Sequence, residues 1–194
     1  VIQGTTVMTI SLPQYSPWAM FKKRVFDIVV SLIAIVLSSP FMIVTAIAIK
    51  LEDKGPVFYK QERIGLRGKP FKIHKFRSMY VNADAKLAEV AAANGQEMGA
   101  RVNIKNDPRI TKVGHFIRKT SIDELPQFFD SLIGTMSVVG PRPQRQFEVD
   151  EYNQVYATRL LVKPGITGPW QVSGRNDLSE EESQQLDVSY VQNW

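Results

Sequence analysis

The sequence has no cysteine and only two histidines, His74 and His115, among its 194 residues. Disulfides and thiolate metal sites are therefore excluded, and a zinc site of common pattern lacks ligands. Any metal would be held mainly by oxygen. Internal repeats and low-complexity tracts are absent as well. With 44% apolar and 22% charged residues, the composition suits one domain with a sizeable core and excludes a disordered chain. The chain opens on Val1 rather than methionine and stops at Trp194, so both ends are expected to be cuts from something longer.

The formal charge of +5 is uneven: residues 1–80 carry 12 basic and 4 acidic side chains, the remainder 12 and 15. A basic segment beside an apolar one suits lipid headgroups or phosphorylated ligands better than a nucleic acid, whose readers seldom carry an apolar anchor.

From Val25 to Ile49 the sequence is almost continuously apolar, long enough as a helix to cross a hydrocarbon core of roughly 30 Å. Asp27 near its start, Ser38-Ser39-Pro40 in its middle and cations at both ends (Lys22, Lys23, Arg24, then Lys50 and Lys54) argue for another geometry. Proline has no N–H and crowds the carbonyl of Val36, so a kink or break is expected there, with serine hydroxyls bonding carbonyls left unpaired. A helix-break-helix hairpin returns to its own side and sets the nine basic residues between Lys50 and Arg77 beside the headgroups. The competing geometries are a spanning helix and a buried soluble one.

Residues 1–20 read as a strand tail and linker, the end of a preceding domain. Residues 55–59 and 71–76 flank a turn-rich stretch, Gly65-Leu66-Arg67-Gly68-Lys69-Pro70, in the pattern of a hairpin. Residues 81–99 are alanine-rich and predicted helical. A further helix is expected to begin near Asp123, with Ser121-Ile122-Asp123-Glu124 as a capping box or Asp123 itself as the cap to accommodate Pro126. Residues 140–175 read as ordered glycine- and proline-rich loops, and 177–193 as an amphipathic helix.

Asp123 and Glu124 are adjacent carboxylates in a predicted first helical turn, where the helix dipole favours ionisation. A structural cap is the bland reading. Arg118 and Lys119 precede the pair, and Arg142 and Arg175 stand in glycine- or proline-bounded loops. A carboxylate can attack phosphorus only if the phosphate charge is neutralised, by a divalent cation or by bidentate arginine. Magnesium suits such a site, taking one or two carboxylates plus phosphate oxygens. One carboxylate would then be nucleophile and the other a metal ligand, in an order that composition leaves open. Lys75 and Arg77 at a strand end would meet phosphates or form a solvated edge. His74 and His115 are expected to be satisfied or surface histidines rather than bases.

These segments together resemble the bacterial sugar transferase family, the monotopic polyprenyl-phosphate phosphoglycosyltransferases. The resemblance runs in order through Lys23-Arg24-x-x-Asp27, Ser39-Pro40, GPVFYKQERIG at 55–65, GKPFKIHKFRSM at 68–79 and NDPRITKVG at 106–114. It continues through SIDELPQ at 121–127, MSVVGPRP at 136–143, KPGITGPWQVSGRN at 163–176 and LDVSYVQNW at 186–194. It implies an α+β fold, mainly helical with a small β-hairpin or sheet, and one re-entrant membrane helix over 21–50, broken at Ser39-Pro40 and anchored through Lys23, Arg24 and Asp27. A catalytic domain over 51–194 would face the cytoplasm from the bacterial inner membrane. Asp123 would be the nucleophile on a UDP-sugar, releasing UMP and passing the phosphosugar to undecaprenyl phosphate, which starts capsule, exopolysaccharide or O-antigen assembly.

The resemblance further implies Mg2+ held by Glu124 with Asp123, phosphate contact at Arg118, and a nucleotide-sugar loop containing Gln171 and Arg175. Glucose 1-phosphate or galactose 1-phosphate is the cargo by family habit. The expected partners are thus a UDP-sugar, undecaprenyl phosphate and membrane lipid, with no nucleic acid; homodimerisation is left open. The chain departs from the family's habit at Asp130-Ser131, usually asparagine-valine, and at Trp170, usually alanine. The alternative is a membrane-bound scaffold that kept the fold without the chemistry, for which a replaced dyad would be the sign; here the dyad is intact.

Overall fold

The N-terminal helix, α1 (Pro17–Glu52), is the longest element of the computed structural model, which describes residues 15–93, 107–144, 156–173 and 180–192. The strand tail expected within 1–14 lies outside them. Ser16 caps α1, accepting the N–H of Ala19 at 3.1 Å, and Pro17 fills the first turn, where an N–H is not needed. The helix therefore extends beyond the expected 21–50 at both ends. Helical structure also continues through Pro40, where a kink or break was expected. The reason is local: Ser39 Oγ donates to Val36 O at 2.7 Å, the carbonyl that proline leaves without a donor, and Ser38 Oγ donates to Ala34 O.

Asp27, Ser31, Met42, Thr45 and Ile49 are buried on one stripe of α1, at the three- and four-residue spacing of a helix face. Ile35 and Ala46 are partly covered by the core, and much of the remaining apolar surface is bare: Val36 and Leu37 are 69% and 71% exposed. A soluble protein rarely leaves so continuous an apolar surface uncovered. By length and composition α1 can cross a membrane, and only 11% of its most apolar window is buried.

After α1, β1 (Phe58–Ile64) and β2 (Pro70–Phe76) form the expected antiparallel hairpin, pairing Tyr59 with Lys75 and Gln61 with Ile73. Arg67 and Gly68, with φ of 57° and 75°, reverse the chain. Helix α2 (Ala83–Ala93) confirms the alanine-rich prediction over the described part. Helix α3 (Lys112–Lys119) was not expected; Thr111, which accepts from Gly114 N at 2.8 Å, was its available start signal. Next come a 3₁₀ turn (Ile122–Glu124) and α4 (Gln127–Ile133).

The stretch read as loops holds short regular elements instead. Strands β3 (Ser137–Val139) and β4 (Gly165–Thr167) pair in parallel, followed by the one-turn α5 (Pro169–Val172), with a 3₁₀ segment (Tyr156–Leu161) before β4. The final helix, α6 (Glu180–Gln192), is as expected. Gly140 and Gly165 are dictated by this pairing: a Cβ on Gly165 would lie 2.0 Å from Gly140 N.

One apolar cluster joins these pieces. Met42 and Ile49 of α1 meet Phe76 of β2 and Ile117 of α3, with Ile122 and Leu125 packed against them. The last two flank the Asp123-Glu124 pair, so the core that seats the membrane helix also seats the dyad.

Candidate functional site

Asp123 and Glu124 sit in the 3₁₀ turn, which Ser121 enters in the left-handed region at φ 60°. The turn closes with Glu124 N donating to Ser121 O at 3.3 Å and Leu125 N to Ile122 O at 3.1 Å. The expected cap is not formed: α4 starts only at Gln127, preceded by Pro126, and no side chain caps the turn or the helix. Proline cannot be bonded within a helix interior, so the chain places it at the junction and keeps the carboxylates upstream. They are thereby not engaged as caps.

The expectation that a helix dipole would favour ionisation is also corrected. Burial, then repulsion from Glu124, raises the Asp123 carboxyl to a pKa of about 6, while Lys75 and Arg118 pull the other way. Two carboxylates crowded together in a partly desolvated site outweigh the weak field of a one-turn element.

Lys75, at the end of β2, faces the pair. Its ammonium is depressed chiefly by burial and feels Glu124, Arg63, Asp123 and Arg142 in turn. Arg118 comes from the last turn of α3 and feels both Asp123 and Asp107. Its Nε donates to Ser78 Oγ at 2.7 Å. Gly114 permits that approach, since a Cβ there would lie 2.0 Å from Ser78 O, and Thr111 N donates to the same carbonyl at 3.1 Å.

Arg142 is gripped through its backbone. Its N–H donates to Asp187 Oδ2 at 3.3 Å, and Arg159 donates both to Arg142 O at 2.9 Å and to Asp187. Asp187 and Arg159 are buried, and burial pushes the Asp187 carboxyl up to about 6. The sequence reading missed this pair. Its only trace was an aspartate on the helix face that also carries Val188 and Val191.

Of the residues named from sequence, the structure thus brings Glu124, Lys75 and Arg118 within electrostatic reach of Asp123, and Arg142 within reach of Lys75. Arg77 is not among them. It donates to Pro56 O at 2.8 Å and to Asp53 Oδ2 at 2.7 Å, locking the end of α1 to β2, so its reading as a phosphate ligand is corrected to a structural one. Gln171 lies in α5, half-buried, and Arg175 falls outside the described residues. Lys23, Arg24 and Asp27 anchor α1. Asp27 accepts from Ser137 Oγ at 2.8 Å and Val138 N at 3.1 Å, and Arg24 donates to Ser131 O and Leu132 O, each at 2.7 Å. Of the histidines, His115 is exposed and His74 is satisfied by Asp130.

Among the described residues no cluster of three or more histidine, cysteine or acidic side chains could cage a metal. The dyad offers two hard oxygen donors and mutual repulsion that a divalent cation relieves. That fits magnesium, which shares its shell between one or two carboxylates and substrate phosphates. Chemically, the arrangement combines a carboxylate ionised at neutral pH with cations suited to phosphate.

Comparison with known proteins agrees. The sequence profile described as bacterial sugar transferase matches residues 18–194. The galactosyl transferase CpsE of Streptococcus agalactiae is 42% identical over 193 residues, covering 99% of this chain and 42% of its own length. The undecaprenyl-phosphate galactose phosphotransferase of Salmonella typhimurium is 46% identical over 177 residues, 90% of this chain and 37% of its own. The exopolysaccharide production protein ExoY of Rhizobium meliloti is 43% identical over 175 residues, 89% of this chain and 77% of its own. The chain thus spans about two fifths of the length of the first two relatives and most of the third.

Proposed function

The chain belongs to the bacterial sugar transferase family, and from that premise we propose that it transfers a hexose 1-phosphate from a UDP-sugar to undecaprenyl phosphate, with Asp123 as covalent nucleophile. The observation that carries this reading is the uncapped Asp123, raised to about 6 yet ionised at neutral pH, facing Lys75 and Arg118.

A carboxylate oxygen of Asp123 attacks the sugar-bearing β-phosphorus. The bond from that phosphorus to the bridging oxygen breaks, its electron pair stays on that oxygen, and UMP leaves. A phosphate oxygen of undecaprenyl phosphate then attacks the aspartyl-bound phosphorus, the acyl–phosphate bond breaks, and the carboxylate is regenerated. Neither step consumes a proton from Asp123, so a pKa below neutrality suffices. Lys75, Arg118 and Arg142 supply positive charge where the phosphate oxygens gather it, in a site dry enough for that charge to count. Glu124 with Asp123 would hold magnesium, which when bound supplies further charge neutralisation on the phosphates.

Membrane association follows from the bare apolar face of α1, and the re-entrant geometry is part of this proposal. Both ends of α1 are tied to one body: Arg24 to α4, and Glu52 to the start of α3, where its carboxylate accepts from Lys112 N at 2.7 Å and Val113 N at 2.8 Å. A helix crossing the bilayer would leave one of these ends on the far side. The catalytic part then faces the cytoplasm, where UDP-sugars are found, and the product begins capsule, exopolysaccharide or O-antigen assembly. The name of the Salmonella typhimurium relative supports galactose 1-phosphate as cargo, with glucose 1-phosphate as the alternative.

The test is UMP release from a panel of UDP-sugars by detergent-solubilised full-length protein with magnesium and undecaprenyl phosphate. Release with one sugar, abolished by Asp123→Asn, is expected; silence of the wild type across the panel would overturn the reading.

A further inference from the structure

The C-terminal end of α4 carries a second concentration of positive charge that the reaction does not use. Arg24 lies across the last turn of this helix, held by its bonds to Ser131 O and Leu132 O. Gly134 follows at φ 107°, where only glycine sits comfortably. A Cβ on Gly134 would lie 3.4 Å from Arg24 Nη2 and 3.6 Å from Lys163 Nζ, so both cations border the same bare patch of backbone.

Lys163 is half-buried, and among the described residues no hydrogen bond or ion pair reaches its ammonium. The acid that acts on it, Asp27, is already engaged by Ser137 Oγ, Val138 N–H and Lys23. Burial and the Arg24 guanidinium both depress the Lys163 ammonium below its ordinary range. Two neighbouring cations, one partly desolvated and unpaired, are an arrangement that a shared anion relieves.

The surroundings indicate which anion. Exposed apolar side chains of α1 lie on both sides of Arg24: Trp18, Met20 and Phe21 before it and Val25, Phe26 and Val29 after it. Just before it, Trp18 stacks on Phe21 with ring centroids 5.7 Å apart, and Lys22 and Lys23 lie over the rings of Trp18 and Phe26. Aromatic rings topped by lysines collect at the headgroup level of a bilayer. Ile133, 70% exposed, stands directly before Gly134. The seven residues of α4, about 10 Å of helix rise, separate the patch from the turn that carries the dyad. A phosphate held here is not the one transferred.

We propose that Arg24 and Lys163 form a binding site for the phosphate of an anionic membrane phospholipid, which fixes the depth and tilt of α1 relative to the catalytic body. This rests on the membrane reading of α1. That reading fails separately, if wild-type full-length protein is recovered in the soluble fraction without detergent.

The experiment is native mass spectrometry of detergent-purified full-length protein titrated with phosphatidylglycerol, with phosphatidylcholine as the neutral lipid and inorganic phosphate as the soluble competitor. Wild type is expected to retain one phosphatidylglycerol in preference to phosphatidylcholine. Lys163→Gln should weaken that retention about fivefold, the effect of roughly one headgroup-facing lysine, and Lys163→Arg should restore it. Since Arg supplies charge without the native shape, its rescue separates a binding role from a folding one. Equal retention by wild type and Lys163→Gln, or no preference over phosphatidylcholine, would overturn the proposal. Displacement of the lipid by millimolar inorganic phosphate would assign the patch to a soluble anion and overturn the lipid identification.

Discussion

Asp130 of α4 holds His74 of β2 at two points: one carboxylate oxygen accepts the His74 backbone N–H at 2.9 Å, and the other lies 2.6 Å from Nδ1. The clamp fixes the strand position beside Lys75 against the helix that follows the dyad. Asp130→Asn keeps an acceptor for the N–H and puts an amide donor against Nδ1, so it should cost less than about 1 kcal/mol. Asp130→Ala leaves both His74 groups without this partner in a part-buried setting and should cost about 1–3 kcal/mol. Denaturant unfolding of both variants in detergent checks this, and equal losses would show that the clamp is not what the position supplies.

Asp123 sets the acid limb of the reaction. With its carboxyl raised to about 6, kcat/KM should fall as pH drops through that value instead of through the ordinary carboxylate range. Lys75 holds that pKa down, so Lys75→Met should move the limb upward. A limb that stays fixed in the variant would remove Lys75 from the site.

The same shift has a stability consequence of opposite sense to activity. The folded carboxyl binds its proton more tightly than the unfolded one, so stability present below pH 4 is lost as pH rises from about 4 through about 6. Asp123→Asn should therefore be inactive yet more stable at pH 7.5, on the order of 1 kcal/mol once solvent access is discounted. The gain should vanish at pH 4. Thermal melts at both pH values are the measurement, and a destabilised variant at pH 7.5 would contradict the crowding of the two carboxylates.

Two carboxylates without a third ligand make a weak metal site by themselves. Magnesium alone should leave the melting temperature within about 1 °C of the metal-free protein, whereas magnesium with a UDP-sugar should raise it by several degrees, following mass action on the folded state. A large shift with magnesium alone would point to a cage that the described residues do not form.

Residues 1–194 contain no cysteine, so single cysteines introduced here report on topology. Met20→Cys, near the start of α1, and Lys54→Cys, two residues past its end, are at exposed positions and should both react with an impermeant maleimide from the same membrane face. Pro40→Ala returns an N–H to Val36 O and relieves a helix-interior proline worth about 3 kcal/mol, which should move some of the Met20→Cys label to the other side. Labelling of the two unaltered sites from opposite faces would refute re-entrance.

Much of this molecule was legible from residue order, because the relevant signals are local. Backbone geometry wrote the hairpin around Gly65–Pro70, and continuous apolar sequence wrote α1. Glycine and proline punctuation marked 140–175 as ordered, though the parallel pairing of β3 and β4 is a long-range contact that no local pattern encodes. The dyad was visible as adjacent carboxylates among cations, but not its environment. A dipole argument predicted easy ionisation, and only packing against Ile122, Leu125 and Glu124 shows that burial and repulsion prevail. Arg77 and Lys75, two residues apart at the end of β2, were indistinguishable as sequence. Because the strand ends at Phe76, Arg77 is released from the face that Lys75 shares and turns to Asp53 and Pro56 O, while Lys75 acts on Asp123, and that assignment belongs to the tertiary structure. The chemistry available to this protein was thus determined by which residues it has; which of them share a site, and with what charge, was decided by the fold, because burial and proximity are properties of packing rather than of order along the chain.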